Sequence, residues 1–145
     1  ERQNFLNAFK DGGEVCGFAV MGGAFSEGVD LKGNRLIGAV VVGVGLPQIG
    51  IERDLIRNHF PEAGFEYAYQ YPGLVRVLQT AGRVIRDEED RGIIFLVDKR
   101  YRERRYLDLL PSEWVPRFCE NTAEIAVNLE AFWSRQQELF GLSGP

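Results

Sequence analysis

Leu36-Ile37-Gly38-Ala39-Val40-Val41-Val42-Gly43-Val44 is the most apolar stretch of the chain. Its apolar residues are continuous rather than alternating. That is the pattern of a strand buried on both faces of a parallel sheet. Gly45-Leu46-Pro47 ends the run. Downstream, Ile51 to Phe60 carries Ile51, Leu55, Ile56 and Phe60 at helical spacing and predicts a helix. Ile93 to Val97 is a second buried strand. Val15 to Met21, with two valines and a phenylalanine, reads as a third, ended by Gly22-Gly23. The order strand, loop, strand, helix, helix, strand is α/β patterning. So few strands leave an open parallel sheet with an unpaired edge and uncovered apolar surface. The expectation is therefore a piece of a larger protein, with another strand of the same lobe lying upstream of Glu1.

The remaining segments fit around this sheet. Glu1 to Lys10 has Phe5, Leu6 and Phe9 at helical spacing, closed by Asp11-Gly12-Gly13. Pro61 to Gln70 is a loop or short helical segment rich in aromatics. Lys99 to Arg105 is a charged connection, and Leu107 to Trp114 is irregular around Pro111. Asn121 to Phe140 reads as a long helix with Ile125, Leu129, Phe132, Trp133 and Leu139 on its apolar side. The whole, residues 1–145, reads as one domain with a core over about 13–115 and a helical extension over about 121–140.

Composition narrows the function. With 145 residues and 45% hydrophobic content the chain can build a real core. A net charge of −4 makes it no electrostatic nucleic-acid binder overall, so any such contact is local. Cys16 and Cys119 are far apart and have no CxxC partner. That argues against a disulfide framework and against a zinc or iron–sulfur site within this chain, and it fits a reducing compartment. The longest apolar run is far short of a membrane span.

Chemistry concentrates in two stretches. Between Pro72, a good helix starter, and Gly92, a good stopper, lies Gln79-Thr80-Ala81-Gly82-Arg83-Val84-Ile85-Arg86. A helix continued through Arg86 puts Leu74, Leu78, Ala81 and Ile85 on one stripe and Arg76, Gln79, Arg83 and Arg86 on the other. Such a face is either a solvated basic surface or a phosphate site, since guanidinium forks match phosphate oxygens. Gly82 costs about 1 kcal/mol inside a helix and so hints at close backbone approach. The second stretch follows the first predicted strand: Phe25-Ser26-Glu27-Gly28-Val29-Asp30-Leu31. Ligands of open α/β sheets bind at the carboxyl ends of strands. Three segments emerge there, 22–30, 45–50 and 98–101. Gly22, Gly23 and Gly28 suit close approach to a phosphate or sugar, and Glu27 and Asp30 could accept from ribose hydroxyls. An ordinary glycine-rich connection is the other reading.

Several residues carry less. No GxxxxGK[ST] is present, so the chain has no phosphate-cradling loop of its own, and no carboxylate pair is assigned to magnesium. His59, the single histidine, reads as a helix-terminal surface residue, and Cys16 as core. Phe65, Tyr67, Tyr69 and Tyr71 either pack their loop onto the lobe or offer stacking to single-stranded bases.

Taken together, Phe25 to Leu31 followed by Gly33 and Leu36-Ile37 resembles motif V of superfamily 2 DNA helicases of the XPD/DinG type. Gln79 to Arg86 resembles their motif VI, QxxGRxxR. The Gly-Leu-Pro loop between them and the trailing Val97-Asp98-Lys99-Arg100-Tyr101 fit as well, and the resemblance covers roughly Gly17 to Trp114. The closing Phe132-Trp133 helix fits bacterial, DinG-like members. The resemblance implies a RecA-like (P-loop NTPase-like) three-layer domain with a mostly parallel sheet, truncated at its N-terminus and extended by a C-terminal helix. It would be the second lobe of an ATP-dependent motor. Its partners would be single-stranded or forked DNA and the first RecA-like lobe of the same parent chain, with no membrane involved. ATP with Mg2+ would be held mainly by that first lobe. An iron–sulfur cluster, where one exists, would lie there too and not in this chain. A cytoplasmic, nucleoid-associated location follows from the same resemblance.

Carried over by matched position, Arg83 and Arg86 would reach the γ-phosphate and stabilise the transition state, with Gln79 beside them. Gly28, Asp30 and Gly82 would face the nucleotide, Asp30 near the ribose. Ser26 and Glu27 would couple nucleotide state to the DNA strand. Gly45, Pro47 and Gln48 would lie along single-stranded DNA. A non-catalytic α/β module that binds a nucleotide or docks an acidic protein through its arginines remains a different class of explanation, and an RNA helicase lobe is a further one.

Overall fold

The computed structural model describes residues 2–10, 13–23, 31, 33–86 and 90–141. These fall into two compact units, Glu1–Leu110 and Pro111–Pro145. The first unit opens with a short helix, α1 (Arg2–Ala8). Its Phe5 and Leu6 pack with Phe9, Leu31 and Leu36 in a small apolar cluster. Arg35 ties that cluster together, donating from Nε to the Phe9 carbonyl at 2.8 Å and from Nη2 to the Leu6 carbonyl at 3.3 Å.

Among the described residues the sheet has two strands, β1 (Gly38–Val42) and β2 (Ile93–Val97). They pair in parallel with Gly38 opposite Ile93 and Val42 opposite Val97. Backbone bonds from Ile93 N to Ile37 O and from Gly43 N to Val97 O carry the ladder one step further at each end. The crossover between the strands contains α2 (Ile51–His59), a five-residue π-helical stretch (Glu66–Gln70) and α3 (Tyr71–Ala81). A parallel pair needs such a crossover, and a helix supplies it. Both runs expected as strands on either side of the crossover therefore form strands and pair with each other.

The main core lies between β1 and α3. Gly73, Leu74, Val77 and Ala81 recur on one side of α3 and are buried. Leu74 and Val77 meet Val41 and Val44 there, with Tyr101 and Tyr106 closing the far side. Burial of one such aliphatic side chain contributes about 1.5–3 kcal/mol. Because strand side chains alternate, Val41 faces this core while Val40 and Val42 face the other way. Those two are 64% and 73% exposed. Burial on both faces, expected from the continuous apolar run, is thus met on one face only. Among the described residues nothing covers the second.

Four further expectations are corrected. Val15 to Met21 forms no strand: residues 13–20 are irregular and exposed, Phe18 at 92%. A strand exists only by pairing, and no described strand lies alongside this run. Cys16, in the same run, is exposed rather than core. On α2, Ile51 and Leu55 stand in solvent instead of packing. The helix expected through Arg86 ends at Ala81. His59 is the last residue of α2 and exposed, as its position before Pro61 indicated.

After β2 come a 3-10 turn (Lys99–Arg102) and a one-turn helix, α4 (Arg104–Leu107). The second unit is built on α5 (Thr122–Phe140). Asn121 caps it, its Oδ1 accepting from Glu124 N, while Glu124 Oε2 reaches back to Glu120 N, both at 2.9 Å. This reciprocal arrangement satisfies otherwise orphaned N–H groups at the helix start. Gly141 ends α5 with φ 62°, the left-handed cap that glycine adopts without strain. Ile125, Leu129, Phe132 and Trp133 are half-buried, and Leu139 is exposed. Among the described residues no helix is long and apolar enough to cross a membrane.

Candidate nucleotide and nucleic-acid site

The motif at 79–86 is built on the end of α3, not along its side. Gly82 takes φ −65° and ψ −3° and donates its N–H to the Leu78 carbonyl at 2.8 Å. Arg83 N then reaches Thr80 O at 3.1 Å and Val84 N reaches Ala81 O at 2.9 Å. These shorter-range bonds tighten the last turn and satisfy carbonyls that the helix end would leave open. The glycine therefore sits at the cap, where the interior penalty does not apply. A Cβ at this position would come no closer than 3.4 Å to described atoms, so none of the described residues requires glycine there.

Val84 anchors the turn. It is 3% exposed and lies against Gly92, where any Cβ would overlap its side chain. Arg83 and Arg86 flank this anchor and are half-buried, while Gln79 and Gly82 are exposed. Arg86 folds back over the turn: its Nη2 donates to the Arg83 carbonyl at 3.0 Å, and its N–H donates to Asp90 Oδ2 at 2.9 Å. Among the described residues the Arg83 guanidinium makes no hydrogen bond or ion pair. The expectation of one continuous basic helix face thus becomes two groups: Arg76 and Gln79 on α3, Arg83 and Arg86 on the turn that follows.

Ser26, Glu27, Gly28 and Asp30 lie outside the described residues. The chain just before them is informative. Gly22 has φ 77° and lies beside Arg76, with an added Cβ standing 3.6 Å from Arg76 Cδ and Nε. The glycine-rich segment therefore leaves from alongside α3, one turn from Gln79. Two stretches more than fifty positions apart in sequence start from the same helix.

The 45–48 segment packs across the opposite end of α3. Gly45 has φ 66°, and a Cβ on it would stand 2.5 Å from the Gly73 carbonyl oxygen. A Cβ on Gly73 would stand 2.6 Å from the Val44 carbonyl oxygen. The two backbones touch, and only glycine at both positions allows it. Pro47 is buried, whereas Gln48 and Ile49 are exposed.

Behind this segment, Asp98 and Arg100 form a clamp at the end of β2. Asp98 Oδ1 accepts from Arg100 N and Nε, each at 2.9 Å, and Oδ2 accepts from Arg100 Nη2 at 2.7 Å. The Arg100 hydrogen bond holds the Asp98 carboxyl down to about 2, against the smaller opposing effect of burial. The same bond raises Arg100 above its ordinary value. Tyr101, 4% exposed, donates its hydroxyl to the Gly43 carbonyl at 2.9 Å. Burial, helped by the Asp98 charge, pushes that hydroxyl up to about 12, so it stays a donor across the physiological range.

Sequence reasoning named 98–101 as a segment at a strand end but gave its residues no role. The signal lay in opposite charges two positions apart directly after a strand. The sequence pattern put Arg76 on the basic face but not beside Gly22, and it carried no signal for the role of Gly73. The aromatics divide: Tyr69 is buried, while Phe60 stacks on Tyr67 at 4.4 Å and Tyr67 meets Tyr71 edge-on at 5.3 Å, all three partly exposed. Among the described residues no three His, Cys, Asp or Glu side chains converge on a possible metal position.

A parallel pair joined by a helical crossover, with GRxxR on the turn after its last helix and a glycine-rich segment leaving beside that helix, defines an α/β lobe. The chain belongs to the helicase C-terminal domain family, whose model matches residues 1–117, and the fold is RecA-like. Similar proteins include the XPD helicase subunit of general transcription and DNA repair factor IIH from Dictyostelium discoideum. It is 27% identical over an alignment covering 92% of this chain and 18% of the relative. The ATP-dependent DNA helicase CHL1 of Eremothecium gossypii is 34% identical, covering 80% of this chain and 16% of the relative. A regulator of telomere elongation helicase 1 homolog from Drosophila willistoni is 28% identical, covering 78% and 12%. The chain thus spans less than a fifth of the length of each of these relatives.

Proposed function

We propose that this chain is the second motor lobe of an ATP-dependent DNA helicase, working only together with the first lobe of the same parent chain. The observation that carries the reading is the capped turn after α3, which presents Arg83 and Arg86 around the buried Val84. Arg83, lacking a partner among the described residues, suits a phosphate oxygen supplied from outside. Arg86 braces the turn through the Arg83 carbonyl and adds a second positive charge. Gln79 and Gly82, both exposed, border the same surface.

The residues fit half of a nucleotide site. They offer cationic donors for developing charge on a transferring phosphoryl group, the role of an arginine finger. They offer no phosphate-cradling loop, so ATP and its Mg2+ belong to the other lobe. Two cysteines in the whole chain do not make a four-thiolate site.

Gly28 and Asp30 would line the nucleotide side, and Ser26 and Glu27 would link it to the DNA strand. Gly45 and Gln48 would lie along single-stranded DNA, with the buried Pro47 shaping the segment rather than touching the strand. The arginines give this lobe higher affinity for the ATP-bound, closed arrangement of the two lobes. Hydrolysis removes that preference and the cleft opens. Alternating grip by the two lobes would then move the motor along the strand.

Reconstitution tests the reading. In the parent protein, Arg83→Ala or Arg86→Ala should lower DNA-stimulated ATPase by about 10³-fold or more, the range of arginine fingers. The isolated chain is expected to show no robust ATPase. Unchanged turnover in both variants would instead favour a docking module whose arginines bind an acidic protein.

A further inference from the structure

We propose that Tyr101 is a positioning residue for the DNA-facing segment, acting through the carbonyl of Gly43. The proposal rests on the reading of 45–48 as a nucleic-acid contact. The geometry behind it is independent of that reading.

Gly43 is the point where the chain leaves the sheet. Its N–H is the last rung of the parallel ladder, donating to Val97 O at 3.1 Å. Its φ of 88° turns the backbone away from the strand direction, a conformation that costs glycine nothing and other residues much. No described atom lies within 4 Å of a Cβ built there, so among the described residues glycine is needed for the angle and not for space. The Gly43 carbonyl accepts from one described donor, the Tyr101 hydroxyl, at 2.9 Å.

Tyr101 is itself held firmly. Its ring sits in the main core with Val41, Val44 and Leu74 and meets Tyr106 edge-on at 6.4 Å. Its backbone belongs to the turn that the Asp98–Arg100 clamp closes, and its N–H donates to Asp98 O at 3.2 Å. The hydroxyl therefore projects from a rigid base onto Gly43, two residues ahead of the 45–48 segment. Two residues later Gly45 lies against Gly73 of α3. The chain is held at two points: one hydrogen bond at Gly43, just ahead of the segment, and one backbone contact at Gly45, where the segment starts. Since α3 carries Arg83 at its other end, this seating also fixes Gln48 relative to the arginine turn.

A residue that merely fills the core would work through its ring. The proposal assigns the effect to the hydroxyl, and Tyr101→Phe separates the two. In the two-lobed parent protein, ATPase is measured against the concentration of a dT oligonucleotide, with Gln48→Ala in parallel. Expected for Tyr101→Phe is a rise of about 3–10-fold in the DNA concentration giving half-maximal stimulation, roughly one lost hydrogen bond. Maximal turnover stays within about twofold, and so does turnover without DNA. Hydrogen exchange of backbone amides over 43–50 becomes faster, with no change over 122–140.

If Gln48→Ala weakens DNA stimulation while Tyr101→Phe leaves both it and amide exchange over 43–50 unchanged, the positioning role is overturned and the DNA reading of the segment stands. If Gln48→Ala and Tyr101→Phe both leave stimulation unchanged, the DNA reading fails and this proposal falls with it. A parallel loss of DNA affinity, maximal turnover and amide protection throughout the unit would assign Tyr101 a general structural role and also overturn it.

Discussion

Gly73→Ala adds one carbon where α3 and the 45–48 segment touch. That carbon would stand 2.6 Å from the Val44 carbonyl oxygen and 3.1 Å from Gly45 C and Leu46 N. An ordinary contact of about 3.4 Å or more requires the segment to retreat by roughly 0.8 Å. Val44 is fully buried, so its retreat drags core neighbours with it. Overpacking of this kind costs about 1–3 kcal/mol. Alanine in place of glycine within a helix returns about 0.8–1 kcal/mol. The net expectation is a destabilisation of about 0–2 kcal/mol, or a fall in melting temperature of up to roughly 8 °C for a unit of this size. Displacement of Gln48 should weaken single-stranded DNA binding by about tenfold, measured by fluorescence anisotropy on the parent protein. Val75→Ala, at an exposed position of the same helix, serves as the control and should do neither. If Gly73→Ala left both melting temperature and DNA affinity at the control level, α3 and the segment would not be in contact. The account of how the segment is seated would then be wrong.

Two further outcomes are expected. Asp98 has a folded value of about 2 against an ordinary 3.8, so its contribution is fully present above about pH 4 and is lost as pH falls toward 2. The stability difference between wild type and Asp98→Asn, about 1 kcal/mol at neutral pH for a partly exposed pair, should therefore vanish across that window in denaturant titrations. Val84→Ala removes the anchor of the arginine turn and should cost about 1–3 kcal/mol in stability. Its ATPase in the parent protein should fall by about 10²-fold at temperatures where it remains folded, since a misplacement of about 1 Å at the reacting phosphoryl group is that costly. Wild-type turnover in folded Val84→Ala would show that the turn needs no such anchor.

What could be read ahead of the structure was whatever depends on near neighbours in sequence. The continuous run Leu36 to Val44 and the short run Ile93 to Val97 announced strands because apolar content within a few residues sets that preference, though β1 is buried on one face only. Helices α2 and α5 followed from spacing, with Asn121 and Gly141 supplying start and stop. The resemblance at Gln79 to Arg86 pointed to the family, which the match over residues 1–117 bears out. Where local pattern competed with pairing or capping, it misled. Val15 to Met21 has strand composition but no described strand beside it, and Gly82 capped the helix that periodicity extended to Arg86.

The sequence by itself determined that this is an α/β lobe with arginines suited to phosphate and no phosphate loop of its own. Those properties reside in residue types and in short-range order. The tertiary structure decided which of them meet. It seated Gly22 beside Arg76, laid Gly45 on Gly73, aimed the Tyr101 hydroxyl at Gly43 and set Arg83 on a capped turn around Val84. Each of these is a close approach between backbones or side chains brought together by packing, apart from the turn, where capping overrode helix periodicity. Contacts at such range depend on where the whole core places each element, and no pattern within a window of sequence encodes that.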